Sequence, residues 1–148
     1  MRLHLAAGLL LSGLLGGCHA TQEPAPLSQA PGREQVLAAA AHLDDGDLVF
    51  RRGRDLMSAL VLRQGSGSRF SHVGMVVREA DRVDVVHAMP DEPGRPGGVR
   101  RESLQAFLAL PLASDAASLR ASGLALRQQA ALRSYLLSRI GSPFDNAF

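Results

Sequence analysis

The sequence predicts a single domain of the α+β class. Two neighbouring segments form a predicted β-hairpin, a long amphipathic helix lies near the C-terminal end, and strands do not alternate regularly with helices as they do in βαβ proteins. A length of 148 residues is ordinary for one domain. We therefore expect a small antiparallel sheet with helices packed against it.

Composition excludes several classes of protein. All 16 basic residues are arginines, so a lysine Schiff base and a P-loop lysine are both ruled out. A formal net charge of +2 is too small to indicate a nucleic-acid partner. The single cysteine excludes an internal disulfide and a multi-cysteine zinc site. No cofactor is expected.

The first 17 residues are typical of an export signal. Arg2 supplies a positive start, and the apolar run over 5–15 is too short to span a bilayer permanently. The residues Leu15-Gly16-Gly17-Cys18 resemble the lipobox of bacterial lipoproteins, which implies that Cys18 is lipidated. His19, rather than aspartate, follows the cysteine, and this implies an outer-membrane protein facing the periplasm. The alternative is an ordinary signal peptide that contains a cysteine.

The mature chain divides into a tether and a domain. Residues 18–32 are rich in proline and poor in apolar bulk, which predicts a flexible tether, and 33–148 form the domain. Periodicity and turn residues predict the following elements in order: a helix over 33–43, a strand over 47–51, a helix over 56–62, strands over 70–78, 83–88 and 99–101, and helices over 102–109 and 124–140. The stretch 110–123 is ambiguous, with a possible strand at 110–113.

Two histidines are the main candidates for chemistry. His72 and Gly74 lie on one face of the strand over 70–78. If the hairpin loop has two or four residues, Arg78 pairs with Val83, and His72 and His87 become diagonal neighbours with Cα atoms about 7–8 Å apart. A loop of odd length would place His87 on the opposite face.

Three interpretations of this pair are open from the residues alone. The histidines are structural, or they are a base with its orienting partner, or they are half of a metal site. A metal site would need further donors, and the nearby carboxylates lack ligand spacing, so no metal is expected. The arginines over 51–54 and 100–101 are interpreted as solvated faces, with contact to anionic lipid or peptidoglycan as the alternative. A further alternative is that Arg52 or Arg54 contacts a substrate carboxylate.

Several segments resemble one known family. They are Asp45–Phe50 (DGDLVF), Phe70–Val77 (FSHVGMVV), Val85–Ala88 (VVHA), Gly98–Arg101 (GVRR) and Gly141–Asp145 (GSPFD). Together they resemble the permuted papain-like, NlpC-type cysteine amidases of the YaeF/YiiX group, several of which are lipoproteins. The resemblance runs from about residue 43 to the end of the chain.

The resemblance implies a circularly permuted papain-like fold and a thiol hydrolase. It assigns His72 as the base and His87 as the residue that orients it, with Gly74 and Ser71 at the substrate groove. In that family a cysteine at a helix N-terminus attacks an acyl carbon, since the helix and a neighbouring imidazolium lower the thiol pKa. The implied substrates are amides or esters of cell-wall peptide or lipid acyl groups.

The sequence departs from this family at the nucleophile. Its only cysteine is Cys18, the expected lipidation site, so the catalytic cysteine is absent from these 148 residues. Ser71 adjoins His72 and points to the opposite face, which makes it a poor substitute. The chain is then either part of a longer hydrolase or an inactive envelope-binding lipoprotein with a degenerate hydrolase fold. Without the nucleophile helix, we expect an open apolar groove above Gly74.

Overall fold

The computed structural model describes residues 32–65, 67–92 and 94–145. The predicted signal peptide, Cys18 and the tether up to residue 31 lie outside these residues. The elements in chain order are α1 (Arg33–Ala38), a 3₁₀ helix (Ala40–His42), β1 (Leu48–Gly53), α2 (Leu56–Gln64), β2 (His72–Glu79), β3 (Arg82–Met89), β4 (Gly98–Ser103), α3 (Leu104–Phe107), β5 (Ala113–Leu119) and α4 (Leu126–Arg139).

The five strands form one antiparallel sheet in the order β4-β3-β2-β1-β5. The predicted α+β class is therefore confirmed. The hairpin between β2 and β3 has a two-residue loop, Ala80-Asp81, in which Ala80 adopts a φ of 51°. Arg78 pairs with Val83, which is the predicted even-loop register.

Several predicted boundaries differ from the structure. The helix expected over 33–43 ends at Ala38, and the separate 3₁₀ helix Ala40–His42 follows it. The helix expected over 102–109 shortens to α3, because residues 100–103 extend β4 and pair with β3. Ser103 then caps α3 by accepting a hydrogen bond from the amide of Ala106. The ambiguous stretch contains β5, which pairs with β1 and begins where the expected strand over 110–113 ends.

One face of the sheet, which we call the core face, carries the main hydrophobic core. α1 packs on β5, and α3 packs on β3 and β4. The buried cluster comprises Val36, Leu43, Val49, Val76, Val83, Val85, Leu104, Phe107, Leu108, Ala113 and Ala116. Full burial of each large side chain contributes about 1.5–3 kcal/mol. Packing of this core stabilises the sheet, and two of its strands, β2 and β3, carry the histidines.

The opposite face, which we call the outer face, lies beneath α4. A cavity of about 300 Å³ separates α4 from the sheet and is lined mainly by apolar side chains: Leu48, Val73, Met75, Val86, Ala88, Val99 and Leu136, with Arg139 and the strand residues Gly74 and His87. Residues after α4 run beside β4, where the amide of Val99 donates to the carbonyl of Ser142 and the amide of Gly141 donates to the carbonyl of Val99. Gly141 has a φ of 85°, a left-handed conformation that commonly follows the end of a helix and favours glycine. No helix in the described part of the chain is long and apolar enough to cross a bilayer.

Candidate active site

His72 and His87 are in direct contact on the core face. Nε2 of His72 lies 2.9 Å from Nδ1 of His87, and the two rings meet nearly edge to face at a centroid distance of 5.1 Å. The side chain of His87 is 2% exposed, whereas His72 is partly exposed. The predicted placement of the two histidines on one face beside Gly74 is therefore correct.

The register of the hairpin produces this contact. Because side chains alternate between faces, a two-residue loop places His87 on the same side as His72 and Gly74. The contact depends on local chain geometry, since β2 and β3 are consecutive strands joined by a tight turn. It is consequently the part of the site that sequence periodicity predicts once the loop length is known.

Glu102 extends the pair on the far side of His87. Its Oε1 atom lies 2.6 Å from Nε2 of His87. Glu102 pairs with Val85 across the β3–β4 ladder, and His87 pairs with Arg100, so the carboxylate and the imidazole are diagonal neighbours on one face. Sequence reasoning missed Glu102 because it was assigned to a helix. Residues 98–103 (GVRRES) show no alternation of apolar and polar side chains, so the sequence offered no periodic signal for this strand.

Phe107 covers both imidazoles from α3. Its ring centroid lies 5.7 Å from that of His72 and 5.1 Å from that of His87. The aromatic ring excludes water from this side of the pair and limits the rotation of both imidazoles. A short helix that follows β4 directly thus completes the wall of the site.

Arg51 corrects the interpretation of residues 51–54 as a solvated face. Arg51 is 4% exposed, pairs with His72 in the β1–β2 register and places its guanidinium 4.6 Å above the ring of Phe107. Its Nη1 atom donates a hydrogen bond of 2.8 Å to the carbonyl of Phe107. The alternation of side chains explains the error, because Arg51 faces inwards while Arg52 is exposed.

Arginines 100 and 101 are also less exposed than expected. Arg101 is 22% exposed in its side chain and contacts both Asp84 and Glu79 through its guanidinium. Asp84 is itself buried, so Arg101 neutralises a carboxylate on the outer face. The interpretation of this segment as a solvated face is therefore wrong for Arg101.

Electrostatics keep His72 neutral. The pKa of His72 is lowered from 6.5 to about 4, with burial as the largest cause and the positive charge of Arg51 as the second. The contact with His87 is the main cause that lowers the pKa of the Glu102 carboxyl, against burial, which raises it. At neutral pH the site therefore combines a neutral His72 imidazole with an ionised Glu102.

Gly74 and Ser71 occupy different surroundings from those expected. A Cβ atom on Gly74 would lie 2.2 Å from Cγ1 of Val85 and 3.2 Å from Cβ of His87. Side chains of β3 thus fill the space above Gly74, and the predicted open groove at this position is wrong. Ser71 Oγ accepts a hydrogen bond of 2.9 Å from the amide of Gly53, so the hydroxyl joins β2 to β1.

The part of the chain described by the structure contains no cluster of three or more His, Cys, Asp or Glu residues suited to a metal ion. It also contains no cysteine, since Cys18 precedes it. What the arrangement offers chemically is a neutral imidazole, held by a second imidazole and a carboxylate, at the partly open end of β2. Such a group can accept and return a proton.

Comparison with protein-family models, with curated proteins and with solved structures finds no match to this chain.

Proposed function

We propose that this chain carries the acid–base half of a thiol hydrolase of the permuted NlpC type, acting on amide or ester bonds. The observation that supports the proposal best is the contact between His72 and His87 at 2.9 Å, backed by Glu102 at 2.6 Å. A neutral base held by a second residue is the arrangement that activates a nucleophile. The substrate class is cell-wall peptide or a lipid acyl group.

In this proposal His72 takes the thiol proton and returns it to the leaving group. The neutral form is needed to accept that proton, and the low pKa of His72, about 4, keeps it neutral at physiological pH. A thiolate beside His72 would raise this pKa, because its negative charge stabilises the protonated ring in an imidazolium–thiolate pair. His87 orients His72 through the ring–ring contact.

The nucleophile is assigned to a cysteine outside these 148 residues. The chain holds one cysteine, Cys18, which is the expected site of lipidation and is therefore not the nucleophile. We propose that diacylglycerol on Cys18 tethers the protein to the outer membrane with the domain in the periplasm. Metabolic labelling with a fatty acid tests this anchor: label is expected on the wild-type chain and lost in Cys18→Ala. Label that persists in this variant would contradict the anchor.

Hydrolysis is tested with the complete gene product on thioester and ester reporters and on cell-wall peptides. Replacing His72 or His87 by alanine is expected to reduce kcat/KM by about 10²–10⁴-fold, which is the usual contribution of a positioned acid–base group. The matched control is His42→Ala, because His42 is an exposed histidine in the 3₁₀ helix. Activity that persists in both site variants would refute the proposal.

A second candidate is a binding lipoprotein without catalysis. The observation that favours it is the apolar cavity of about 300 Å³ between α4 and the outer face. Cavities of this size and lining suit small apolar ligands. If the complete gene product binds an acyl or peptide ligand, hydrolyses nothing and loses binding in Val73→Arg but not in His72→Ala, this second function is the correct one.

A further inference from the structure

The carboxylate of Glu102 lies at the buried end of the histidine pair. Oε1 is 2.6 Å from Nε2 of His87, and the Glu102 side chain is 31% exposed while that of His87 is 2% exposed. Among the described residues, Nε2 of His87 is a buried atom with no hydrogen-bond partner, so its close contact with Oε1 is not aligned as a hydrogen bond.

We propose that Glu102 is a positioning residue, which holds a single proton of His87 on Nε2 and thereby sets the tautomer of His72. A carboxylate can only accept hydrogen bonds, so it favours a proton on the nitrogen that faces it. Leaving that buried N–H without an acceptor would be costly, and Glu102 is the polar group in contact with it. With its one proton on Nε2, His87 has a lone pair on Nδ1.

The tautomer passes from His87 to His72 through their contact. The lone pair on Nδ1 of His87 requires a donor 2.9 Å away, and that donor is Nε2–H of His72. The remaining ring nitrogen of His72, Nδ1, then carries the lone pair. Glu102 thus determines which nitrogen of His72 can accept a proton, although it does not touch His72.

Other charged groups near the pair do not select this tautomer. Arg51 interacts electrostatically with His72 and Glu102, and Asp55 interacts with His72 and Arg51. Arg51 is a cation that disfavours the protonated form of His72, but its guanidinium donates hydrogen bonds to the Phe107 carbonyl and to Sδ of Met89. Arg51 therefore affects how readily His72 is protonated, whereas Glu102 affects which ring nitrogen of His72 accepts the proton.

The tautomer assignment rests on the proposed function and deepens it, because it identifies Nδ1 as the atom of His72 that accepts the thiol proton. The measurement itself needs no substrate and no nucleophile. The full chain, labelled with ¹⁵N and purified in detergent at pH 7.5, is studied by two-bond ¹H–¹⁵N correlation, in which protonated and lone-pair ring nitrogens resonate far apart. We expect protonated Nε2 and lone-pair Nδ1 on both histidines.

Substitution of Glu102 tests the cause of the tautomer. In Glu102→Ala the two ring nitrogens of His87, and with them those of His72, are expected to shift toward each other as the tautomers mix. Glu102→Gln keeps the size of the side chain and offers a donor as well as an acceptor, so mixing is expected there too, even if the alanine variant unfolds. The control is Glu79→Gln, because Glu79 pairs with arginines on the same sheet.

Two results would overturn the proposal. One is a wild-type spectrum with the lone pair of His72 on Nε2. The other is an unchanged tautomer pattern in folded Glu102→Gln. Failure of the hydrolase proposal looks different, since it would abolish the expected effect of His72 on hydrolysis and leave these spectra as predicted.

Discussion

Nε2 of His72 lies 2.9 Å from Nδ1 of His87, although 15 positions separate them in the chain. The contact pairs a partly exposed imidazole with a fully enclosed one beneath the ring of Phe107. Because at most one of the two facing nitrogens can carry a proton in a stable hydrogen bond, each ring constrains the tautomer of the other. This relationship makes the stability and titration of the site measurable without a substrate.

Stability is expected to fall with acid because of His72. Its pKa is 6.5 in the unfolded chain and about 4 in the fold, so below pH 6.5 the unfolded chain binds more protons than the native protein. The contribution to stability is full above pH 6.5 and is lost progressively down to about pH 4, by up to about 3 kcal/mol. Denaturant unfolding across this range should show the loss, and His72→Gln should reduce it. An equal acid dependence in His72→Gln and wild type would contradict this assignment, with His42→Gln as the control.

Arg51 is expected to influence the titration of His72. Burial is the main cause of the low pKa of His72, and the positive charge of Arg51 adds to it. Arg51→Met removes the charge while retaining an apolar stem, so the pKa of His72 should rise part of the way toward its ordinary value. NMR titration measures the change. Arg52→Met, at an exposed neighbouring position, should leave the pKa unaltered, and an unchanged titration in Arg51→Met would show that the charge has no influence.

Gly74→Ala is expected to destabilise the fold by steric overlap with Val85. The new methyl group would lie 2.2 Å from Cγ1 of Val85, which forces a backbone or side-chain shift costing about 1–3 kcal/mol. The double variant Gly74→Ala/Val85→Ala removes the overlapping atom and should show a favourable coupling energy between the two sites. Purely additive losses in denaturant unfolding would argue that the close approach is not the cause.

Asp47 is expected to be structural. It is 2% exposed, its carboxylate accepts hydrogen bonds from the amides of Asp44 and Ala121, and it lies 3.1 Å from Nη2 of Arg120. Asp47→Ala leaves two amides without their acceptor, and we expect a loss of about 2–4 kcal/mol. Asp44→Ala removes only an exposed ion pair with Arg120 and should cost less than about 1 kcal/mol. Thermal and denaturant unfolding measure the free energy of unfolding of both variants. Similar losses in the two would contradict a structural role specific to Asp47.

In the Gly46-Asp47-Leu48 segment the local turn could be predicted from the sequence, whereas the tertiary contacts could not. The turn at Asp45-Gly46 and the following strand were predictable, because Gly46 adopts a φ of 92° that favours glycine. The partners of Asp47 were not, since Ala121 and Arg120 follow β5 and reach it only when β5 pairs with β1. Long-range pairing of this kind leaves no periodic signal in either segment.

By itself, the sequence determined the hairpin and, for a loop of even length, the register that places His72 and His87 on one face. These features follow from a two-residue loop and the alternation of side chains, both of which are local. Only the tertiary structure decided that Glu102 supports the pair, that Arg51 is buried beside it and that Val85 fills the space above Gly74. Each of these depends on which strands lie side by side and how their side chains pack, and the burial of the whole chain, not its local pattern, selects that arrangement.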